Sequence, residues 1–528
     1  MRATTESSPE RRGTWSRMGF ILAASGSAIG LGNIVFFPAN AYRFGGGAFY
    51  LPYFVALLAV GLPLMTLELG LGHQTRLAFP QALATAGGRR GELIGWWALL
   101  NTGCITLYYV TMLGWVIGML GGALGELWRD SLPVTGFAAA ELPNPYGYFY
   151  AMLSSWRPLV FVASVWALNG LLVRRGTASI ERAVKLFVPL MWLLMLVLVA
   201  RGLTLPGGPQ GVWYLFTPKL EAMLDPGVWQ GALGQIFFTL SIGFGVMTTY
   251  ASYLPRESDQ TNNALVVSFL NCGFEYIAGV AVFAILFSFA AVPQASTLSM
   301  MFFIVPQGIA QLPGGQLVVV GFGSLFFLLL LLAGLSSSIS MVESLVCALI
   351  DKLGWRRGPL VVVICLAGAT GSCLFTLPWV VDPGLAADGT LGLTLLDLVD
   401  HWAFTYGLLA VGFSECLLLG WGYGVDRIRS EINRSSRWRL GSWFDRLVRW
   451  VLPAAILLVL GGALWQEIEG GLYGVSYGQH YPDAWRWLAA GPWLVPVLWL
   501  SLPGFAALGL SRLRRRRRPA VAPGEVVR

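Results

Sequence analysis

Twelve long apolar stretches dominate this sequence and limit the folds that it can adopt. A helix needs about 20 consecutive apolar residues to cross the hydrocarbon core of a bilayer, which is about 30 Å thick. Only 12% of the 528 residues are charged, too few for the surface of a soluble protein of this size. The pattern predicts an all-α polytopic membrane protein with twelve transmembrane helices, near residues 20–42, 48–72, 95–122, 158–173, 183–201, 228–252, 264–290, 317–349, 359–378, 396–423, 450–466 and 490–510.

Lysine and arginine are concentrated in alternate loops between these stretches. With twelve spans, 29 of the 35 basic residues fall on the side that holds both termini. Because the cytoplasmic loops of membrane proteins are rich in lysine and arginine, both termini are expected in the cytoplasm. Arginine outnumbers lysine by 32 to 3, which favours a bacterial source and hence the inner membrane. The basic tail, residues 512–528, is expected to bind anionic lipid headgroups, so the net charge of +8 requires no nucleic-acid partner.

The first and sixth stretches are each interrupted by glycines at their centre, within 26–38 and 241–245. Interrupted helices at matching places in two halves of a chain indicate an inverted-repeat transporter with its site near the midplane. The alternative is that these glycines allow neighbouring helices to pack closely. That interpretation is less favoured, because there are two breaks and each is flanked by polar residues. The expected organisation is an N-terminal segment (1–17), a five-helix repeat (18–203), a second, inverted repeat (226–424), helices 11 and 12 (445–511) and the tail (512–528).

Several ordered motifs resemble the neurotransmitter:sodium symporter family, and its bacterial amino-acid transporters in particular. They include Gly30-Leu-Gly-Asn33, Pro63-Leu-Met-Thr-Leu-Glu68, Gln235-Ile-Phe-Phe-Thr-Leu-Ser241 and Ala333-Gly-Leu-Ser-Ser337. The resemblance implies a leucine-transporter-like fold with unwound helices 1 and 6, and sodium-coupled symport of amino acids by alternating access. An enzyme is not expected, because no metal cluster, nucleophile motif or phosphate-binding loop is present. The alternative is a membrane receptor or partner protein that keeps the fold without transporting.

The resemblance also implies a substrate site. Backbone N–H groups near Leu31 and Gly32, with the Tyr109 hydroxyl, are expected to hold a substrate carboxylate. Family members that carry monoamines have an aspartate where this chain has Gly30, so an amino acid is favoured, and the apolar wall points to a hydrophobic or aromatic one. The implied substrate-binding residues are Ala28, Leu31, Gly32, Ile105, Tyr109, Phe238, Thr239, Ser241, Phe244, Ser337 and Met341.

Two sodium ions are implied, both held by neutral oxygens, which suit a monovalent ion that must also leave. The first site would comprise Ala28, Asn33, Thr239 and Asn271, completed by the substrate carboxylate. The second would comprise Gly26, Ile29, Ala333, Ser336 and Ser337. Glu275 stands where chloride-dependent members have a neutral residue, so we expect its carboxylate to substitute for the anion and transport to be independent of chloride. The alternative is that Glu275 is a paired structural carboxylate.

The gates follow the family only in part. An inner gate is implied for Asp351, Tyr253 and Arg11 or Arg12, beside Trp15. At the outer gate, Phe36 replaces the family's arginine although its partner, Asp400, is retained. Two alternatives remain: Arg43 forms a displaced ion pair with Asp397 or Asp400, or Tyr109 and Phe244 close the pocket by aromatic packing. Finally, Glu68 and Glu415 are expected to support the unwound backbone.

Overall fold

The computed structural model describes residues 14–129, 144–289, 297–377, 391–473 and 494–513, which are helical apart from short connections. In the first half the helices are α1 (Arg17–Ala28), α2 (Gly32–Arg43), α3 (Gly46–Thr75), α4 (Phe79–Ala123), α5 (Asn144–Leu153), α6 (Arg157–Val173), α7 (Thr177–Leu203) and α8 (Gly208–Phe216). In the second half they are α9 (Pro226–Thr239), α10 (Val246–Ala251), α11 (Gln260–Ser288), α12 (Met300–Ala310), α13 (Gln316–Leu353), α14 (Arg357–Phe375), α15 (Leu395–Ser435), α16 (Ser442–Gly470) and α17 (Leu494–Arg512).

Most of these helices are long and apolar enough to span a membrane. Over the described ranges, nine meet that requirement alone, and up to 11 spans result if each of two bent pairs is counted as one. One bent pair is α1 with α2, at 53°, and the other joins Pro145–Leu153 to α6 at 84°. The predicted sixth stretch forms α9 and α10, each too short to be counted. The all-helical membrane architecture is confirmed, while the count of twelve stays a prediction.

The first break, between α1 and α2, lies where the glycines predict it. Helix α1 starts at an N-cap, Ser16, whose side chain accepts a hydrogen bond from the Gly19 N–H, and it ends at Ala28. Ile29 then adopts extended backbone, with φ −74° and ψ 98°. A Cβ atom on Gly30 would lie 2.9 Å from both the Tyr109 and the Ser337 hydroxyl oxygens. Glycine is therefore required by the close approach of two neighbouring side chains to the unwound backbone.

The second break separates α9 from α10 across residues 240–245. Ser241, Gly243 and Gly245 have φ values of 54°, 81° and 71°, in the left-handed region that glycine tolerates best. The Gly243 N–H donates to the buried Glu68 carboxylate over 2.8 Å, so Glu68 satisfies backbone that the break leaves free. Glu415 is also buried close to Glu68, and in the described part of the chain its oxygens have no hydrogen-bond partner.

Both breaks lie in the centre of the helix bundle. Helix α13 packs along α4 and also contacts α1 and α7, while α11 packs against α7, α8 and the first turns of α2. Helices α14, α16 and α17 lie at the periphery and expose many large apolar side chains. A membrane protein places its interrupted backbone inside the bundle because hydrocarbon cannot satisfy free N–H and C=O groups. In this arrangement the break between α1 and α2 lies next to the break between α9 and α10.

Candidate functional site

A pocket lies between the two helix breaks and brings together residues from α1, α2, α4, α9, α11, α13 and α15. Most of the residues expected to bind substrate line it. Its lining also includes residues that the sequence did not single out for substrate binding, on α15 among others. The full lining is Ser27, Ala28, Gly30, Gly32, Asn33, Phe36, Ile105, Tyr109, Gln235, Phe238, Thr239, Ser241, Phe244, Val246, Glu275, Ser337, Ser340, Met341 and Phe404.

One end of the pocket is built from backbone donors at the start of α2. The Leu31 N–H points at the Tyr109 hydroxyl, with 3.3 Å between nitrogen and oxygen. The Gly30 N–H donates to Asn33 Oδ1 over 2.8 Å. No atom lies within 4 Å of the position that a Cβ on Gly32 would take, so the backbone there is open to the pocket. Backbone N–H groups at a helix N-terminus favour an anion, and the Tyr109 hydroxyl beside them adds a further donor.

A buried cluster of neutral polar groups lies next to these donors. Asn33 Nδ2 donates to Thr239 Oγ1 over 3.1 Å and to Asn271 Oδ1 over 2.8 Å. Asn271 Nδ2 in turn donates to Thr239 Oγ1 over 2.8 Å. The structure thus brings together three side chains from α2, α9 and α11, and Ala28 lines the same pocket. Amide and hydroxyl oxygens of this kind suit a hard monovalent cation.

Glu275 lies directly behind this cluster and is fully buried. Its carboxylate accepts hydrogen bonds from Thr239 Oγ1 (2.6 Å), from Gln235 Nε2 (2.7 Å) and from the Tyr53 hydroxyl. No lysine or arginine forms an ion pair with Glu275 within the described ranges. A buried carboxylate held by neutral donors alone is costly, and a cation bound at Asn33 and Thr239 would lie close enough to balance it.

A second group of oxygens joins the end of α1 to the middle of α13. Ser337 Oγ donates to the Ser27 carbonyl over 2.9 Å, and Ser336 Oγ donates to the Ala333 carbonyl over 2.8 Å. Gly26 faces Ser336, whose Cβ would lie 3.5 Å from a Cβ on that glycine. The buried residues of the expected second sodium site are therefore neighbours, with Ile29 fully buried among them.

Aromatic rings form the apolar wall of the pocket and its outer side. Phe238 stacks on Phe404 with ring centroids 4.1 Å apart, and Phe36 lies 6.3 Å from Phe238. Phe244 contacts the same Phe404 ring at 6.3 Å. Phe404 is a pocket residue that no motif in the sequence singled out. Its one signal is the position four residues after Asp400, which places both on the same face of α15.

The acidic residues near this outer side have other neighbours than Arg43. The Arg43 guanidinium lies over the Phe44 ring, 5.4 Å from its centroid. Asp397 accepts a hydrogen bond of 2.7 Å from the Tyr473 hydroxyl, and Asp400 lies beside the hydroxyl of Tyr108. Among the described residues no ion pair joins Arg43 to either aspartate. The displaced ionic gate stays a prediction.

At the opposite end of the bundle, side chains pack closely around Trp15, which is only 2% exposed. Its indole Nε1 donates to the Tyr250 carbonyl over 3.2 Å, and its ring contacts Tyr250 and Tyr253 edge-on. The Tyr253 hydroxyl donates to Glu343 Oε1 over 3.0 Å, and Glu343 forms a buried ion pair with Arg357. That ion pair was not expected from the sequence, since its members lie on different helices.

Asp351, the other expected member of the inner gate, lies at the same end. Its Oδ2 accepts a hydrogen bond of 2.8 Å from the Ala78 N–H, the residue that precedes α4. The structure thus shows Asp351 holding the start of α4. The expected basic partners, Arg11 and Arg12, lie outside the described residues, and so does the run Arg514–Arg518 of the tail.

Comparison with known proteins agrees with this geometry. Residues 12–129 and 152–502 match the sodium:neurotransmitter symporter family. An uncharacterized sodium-dependent transporter of Methanocaldococcus jannaschii is 37% identical over 85% of this chain and 90% of its own length. The sodium- and chloride-dependent taurine transporter of Rattus norvegicus is 26% identical over 84% of this chain and 77% of its own. The crystal structure of MhsT in complex with L-phenylalanine is similar, with a TM-score of 0.72, 29% identity and coverage of 86% of this chain and all of that one.

Proposed function

This chain belongs to the sodium:neurotransmitter symporter family and is a multi-pass, sodium-dependent membrane transporter, and from that premise we propose that it carries a hydrophobic or aromatic amino acid together with Na⁺. The observation that carries the proposal is the convergence, in one pocket, of the backbone N–H groups and the Tyr109 hydroxyl at the start of α2 with a cluster of neutral oxygens. The first arrangement binds an anion and the second a cation. An amino-acid carboxylate between Leu31, Tyr109 and Asn33 would serve both.

Coupling follows from that shared carboxylate. If the substrate supplies one ligand to an ion at Ala28, Asn33, Thr239 and Asn271, each bound species raises the affinity for the other by the same factor. A second ion among Gly26, Ile29, Ala333, Ser336 and Ser337 would tie α1 to α13. Because α1 carries Trp15 at its inner end, release of that ion would free α1 to move. This motion opens the inner side and completes alternating access.

The substrate class rests on charge and on the pocket wall. Gly30 supplies no carboxylate to the break, and the Glu275 carboxylate is occupied by Tyr53, Gln235 and Thr239. A substrate amine therefore meets carbonyls and hydroxyls, and the substrate must bring its own carboxylate. The aromatic wall favours a large apolar side chain, and the similar MhsT structure holds L-phenylalanine.

The orientation and internal symmetry belong to the same proposal. The concentration of lysine and arginine in alternate loops favours a cytoplasmic location for both termini, and the Trp15 end of the bundle would then face inward. The two interrupted helix pairs, α1–α2 and α9–α10, would begin the repeats 18–203 and 226–424. A location in the inner membrane of a bacterium belongs to the same proposal.

A thermal-shift screen of the twenty amino acids tests the proposal. We expect the purified protein to melt a few degrees higher with L-phenylalanine or L-leucine, because a ligand at 100 times its Kd adds about 2.7 kcal/mol to the free energy of unfolding. The shift should require Na⁺ and be absent in potassium or choline buffer. D-Phenylalanine and phenethylamine, which lacks the carboxylate, are the controls.

Uptake into proteoliposomes separates a transporter from a receptor. Sodium-dependent binding without uptake down a sodium gradient would support a binding protein that has lost transport. Stabilisation by phenethylamine equal to that by phenylalanine would contradict the role given to the substrate carboxylate.

For the outer closure we propose the aromatic alternative, in which Phe36, Phe238 and Phe404 join Tyr109 and Phe244. The rings of Phe36, Phe238 and Phe404 cover the side of the pocket where an ion pair would otherwise close it. Phe36 cannot pair with Asp400, but it can pack on Phe238. Apolar contact between α2, α9 and α15 would then hold substrate in the occluded state.

The variant Phe404→Ala is expected to release bound L-phenylalanine at least about tenfold faster, because a stacked ring pair contributes about 0.5–1.5 kcal/mol beyond the buried area that is also lost. The measurement is the dissociation rate of labelled phenylalanine. Phe413→Ala, a partly buried phenylalanine on the same helix but outside the pocket lining, should release it at the wild-type rate.

Exchange of the charges of Arg43 and Asp400 tests the ionic alternative. If aromatic packing closes the outer side, the double variant Arg43→Asp/Asp400→Arg is expected to transport no better than the worse of the two single variants. Rescue of uptake by the exchange would overturn the aromatic closure and establish the displaced ion pair.

A further inference from the structure

A groove lies between α4, α15 and α17, and none of its lining residues belongs to the substrate pocket. Its volume is about 460 Å³, and two serines are its only polar lining residues in the described part of the chain. Leu500 and Phe505 at its mouth are 54% and 71% exposed. The lining is Leu93, Ile94, Trp97, Val411, Ser414, Leu500, Ser501, Gly504, Phe505, Ala507 and Leu508.

Three exposed arginines on α4 and α17 lie close in sequence to the residues that line this groove. Arg89 and Arg90 precede Leu93 by four and three residues on α4, and Arg512 follows Leu508 by four residues on α17. Since a helix rises 5.4 Å per turn, all three are about one turn from the apolar lining. Within the described ranges none of them forms an ion pair. The nearest acidic residue in sequence, Glu92, is engaged by Lys352 over 2.5 Å.

We propose that this groove is a binding site for an anionic phospholipid, whose acyl chains fill the apolar slot while its phosphate meets Arg89, Arg90 and Arg512. Hydrocarbon is the solvent that this face meets in a membrane, so the slot itself selects for acyl chains. The arginines select the headgroup, because guanidinium groups bind phosphate through paired, charge-assisted hydrogen bonds. Each basic residue at an anionic leaflet contributes about a fivefold gain in affinity.

The positive charge of these arginines disfavours a terminal segment of this chain or a second copy of it as the occupant of the groove. The two ends of the chain that lie outside the described residues, 1–13 and 514–528, are polar or strongly basic, and the latter begins with five arginines. Such a segment would be repelled by Arg89, Arg90 and Arg512 and would bury charge in an apolar slot. A second copy bound through the same face would bring two sets of these arginines together. An anionic lipid suits both parts of the site, because its acyl chains match the apolar lining and its phosphate matches the arginines.

The groove also adjoins the wall that positions Phe404. The Trp97 ring, part of the lining, contacts Trp499 edge-on with centroids 5.6 Å apart. Trp499 Nε1 donates to Asn101 Oδ1 over 2.6 Å, and Asn101 Nδ2 donates to the Ala403 carbonyl over 2.8 Å. A lipid in the groove therefore contacts the first member of a short chain of contacts that ends next to the substrate pocket.

Lipid binding to the purified full-length protein tests the site. The delipidated protein is titrated with dioleoylphosphatidylglycerol or dioleoylphosphatidylcholine, and native mass spectrometry measures the occupancy of the tightest site. The double variant Arg89→Gln/Arg90→Gln should bind phosphatidylglycerol about 30-fold more weakly. Arg174→Gln/Arg175→Gln removes the same charge from another exposed arginine pair and should leave binding unchanged.

A second variant tests the slot. No atom lies within 4 Å of a Cβ built on Gly504, so Gly504→Leu fits the fold, raises helix propensity and fills the groove. It should abolish the tight site for phosphatidylglycerol. Equal binding of the two lipids, or an equal loss in both arginine pairs, would overturn the proposal. A Gly504→Leu variant that keeps lipid binding but dissociates a dimer would instead identify the groove as an interface between copies.

Discussion

The Glu275→Ser variant is expected to take up amino acid only when chloride is present. The wild-type carboxylate is buried and accepts three hydrogen bonds, one of them from Thr239 of the proposed first sodium site. The serine leaves the donors Tyr53 and Gln235 without their anion beside a bound cation. Removal of one member of a buried charge pair costs about 3–5 kcal/mol, so uptake in gluconate buffer should fall by two orders of magnitude or more.

Restoration of uptake by chloride identifies the role of the lost charge. Half-saturation by chloride should be measurable in the variant, while the wild type is insensitive to replacement of chloride by gluconate. Glu415→Ser is the matched control, because Glu415 is equally buried but belongs to no part of the pocket. A Glu275→Ser protein that transports equally with and without chloride would show that Glu275 is a structural carboxylate.

The Asn33→Ala variant is expected to lose sodium-dependent binding. Asn33 accepts from the Gly30 N–H and donates to Thr239 and Asn271, so its side chain joins the carboxylate end of the pocket to the oxygen cluster. Alanine leaves buried groups on both sides without a partner, at about 1–3 kcal/mol each. The sodium concentration that half-saturates phenylalanine binding should rise by ten- to a hundredfold, on the order expected from one or two such groups.

Asn169→Ala is the control for a general loss of stability. Asn169 is fully buried and hydrogen-bonded to Ser338 and to the Val165 carbonyl, but it lies outside the pocket lining. Both variants should melt at lower temperature than the wild type, whereas only Asn33→Ala should change the sodium dependence. An unchanged sodium half-saturation in Asn33→Ala would remove Asn33 from the ion site.

The helix breaks show how much of the site could be predicted from the sequence alone. The residues at 26–38 and 241–245 predicted both interruptions, and the structure breaks its helices at 29–31 and 240–245. A break leaves a mark in the sequence because glycine in the middle of an apolar stretch is unfavourable unless the backbone there must depart from the helix. Glu68 was expected from the resemblance to the family, and in the structure its carboxylate accepts a hydrogen bond from the unwound Gly243 N–H.

The residues proposed to close the two ends of the pocket could not be predicted in the same way from the sequence. Phe404 stacks on Phe238 from a helix more than 150 residues away, and its position four residues after Asp400 is too weak a signal to distinguish it from the other apolar residues of α15. Asp351 meets the Ala78 N–H, and Arg43 lies over Phe44, for reasons of helix packing that residue identity alone does not reveal. The groove between α4, α15 and α17 could not be predicted from the sequence either, because its three walls come from helices that are distant in sequence.

The sequence by itself determined that this chain spans a membrane many times, that its first and sixth spans are interrupted, and which neutral oxygens were available to an ion. These properties are local, because hydropathy, backbone freedom and side-chain chemistry act within a few residues. Only the tertiary structure decided how Asn33, Thr239, Asn271 and Glu275 are hydrogen-bonded to one another, and that the Phe404 ring stacks on Phe238 at the wall of the pocket. Those contacts depend on how α2, α9, α11 and α15 pack against one another, and packing fixes distances that no local pattern encodes.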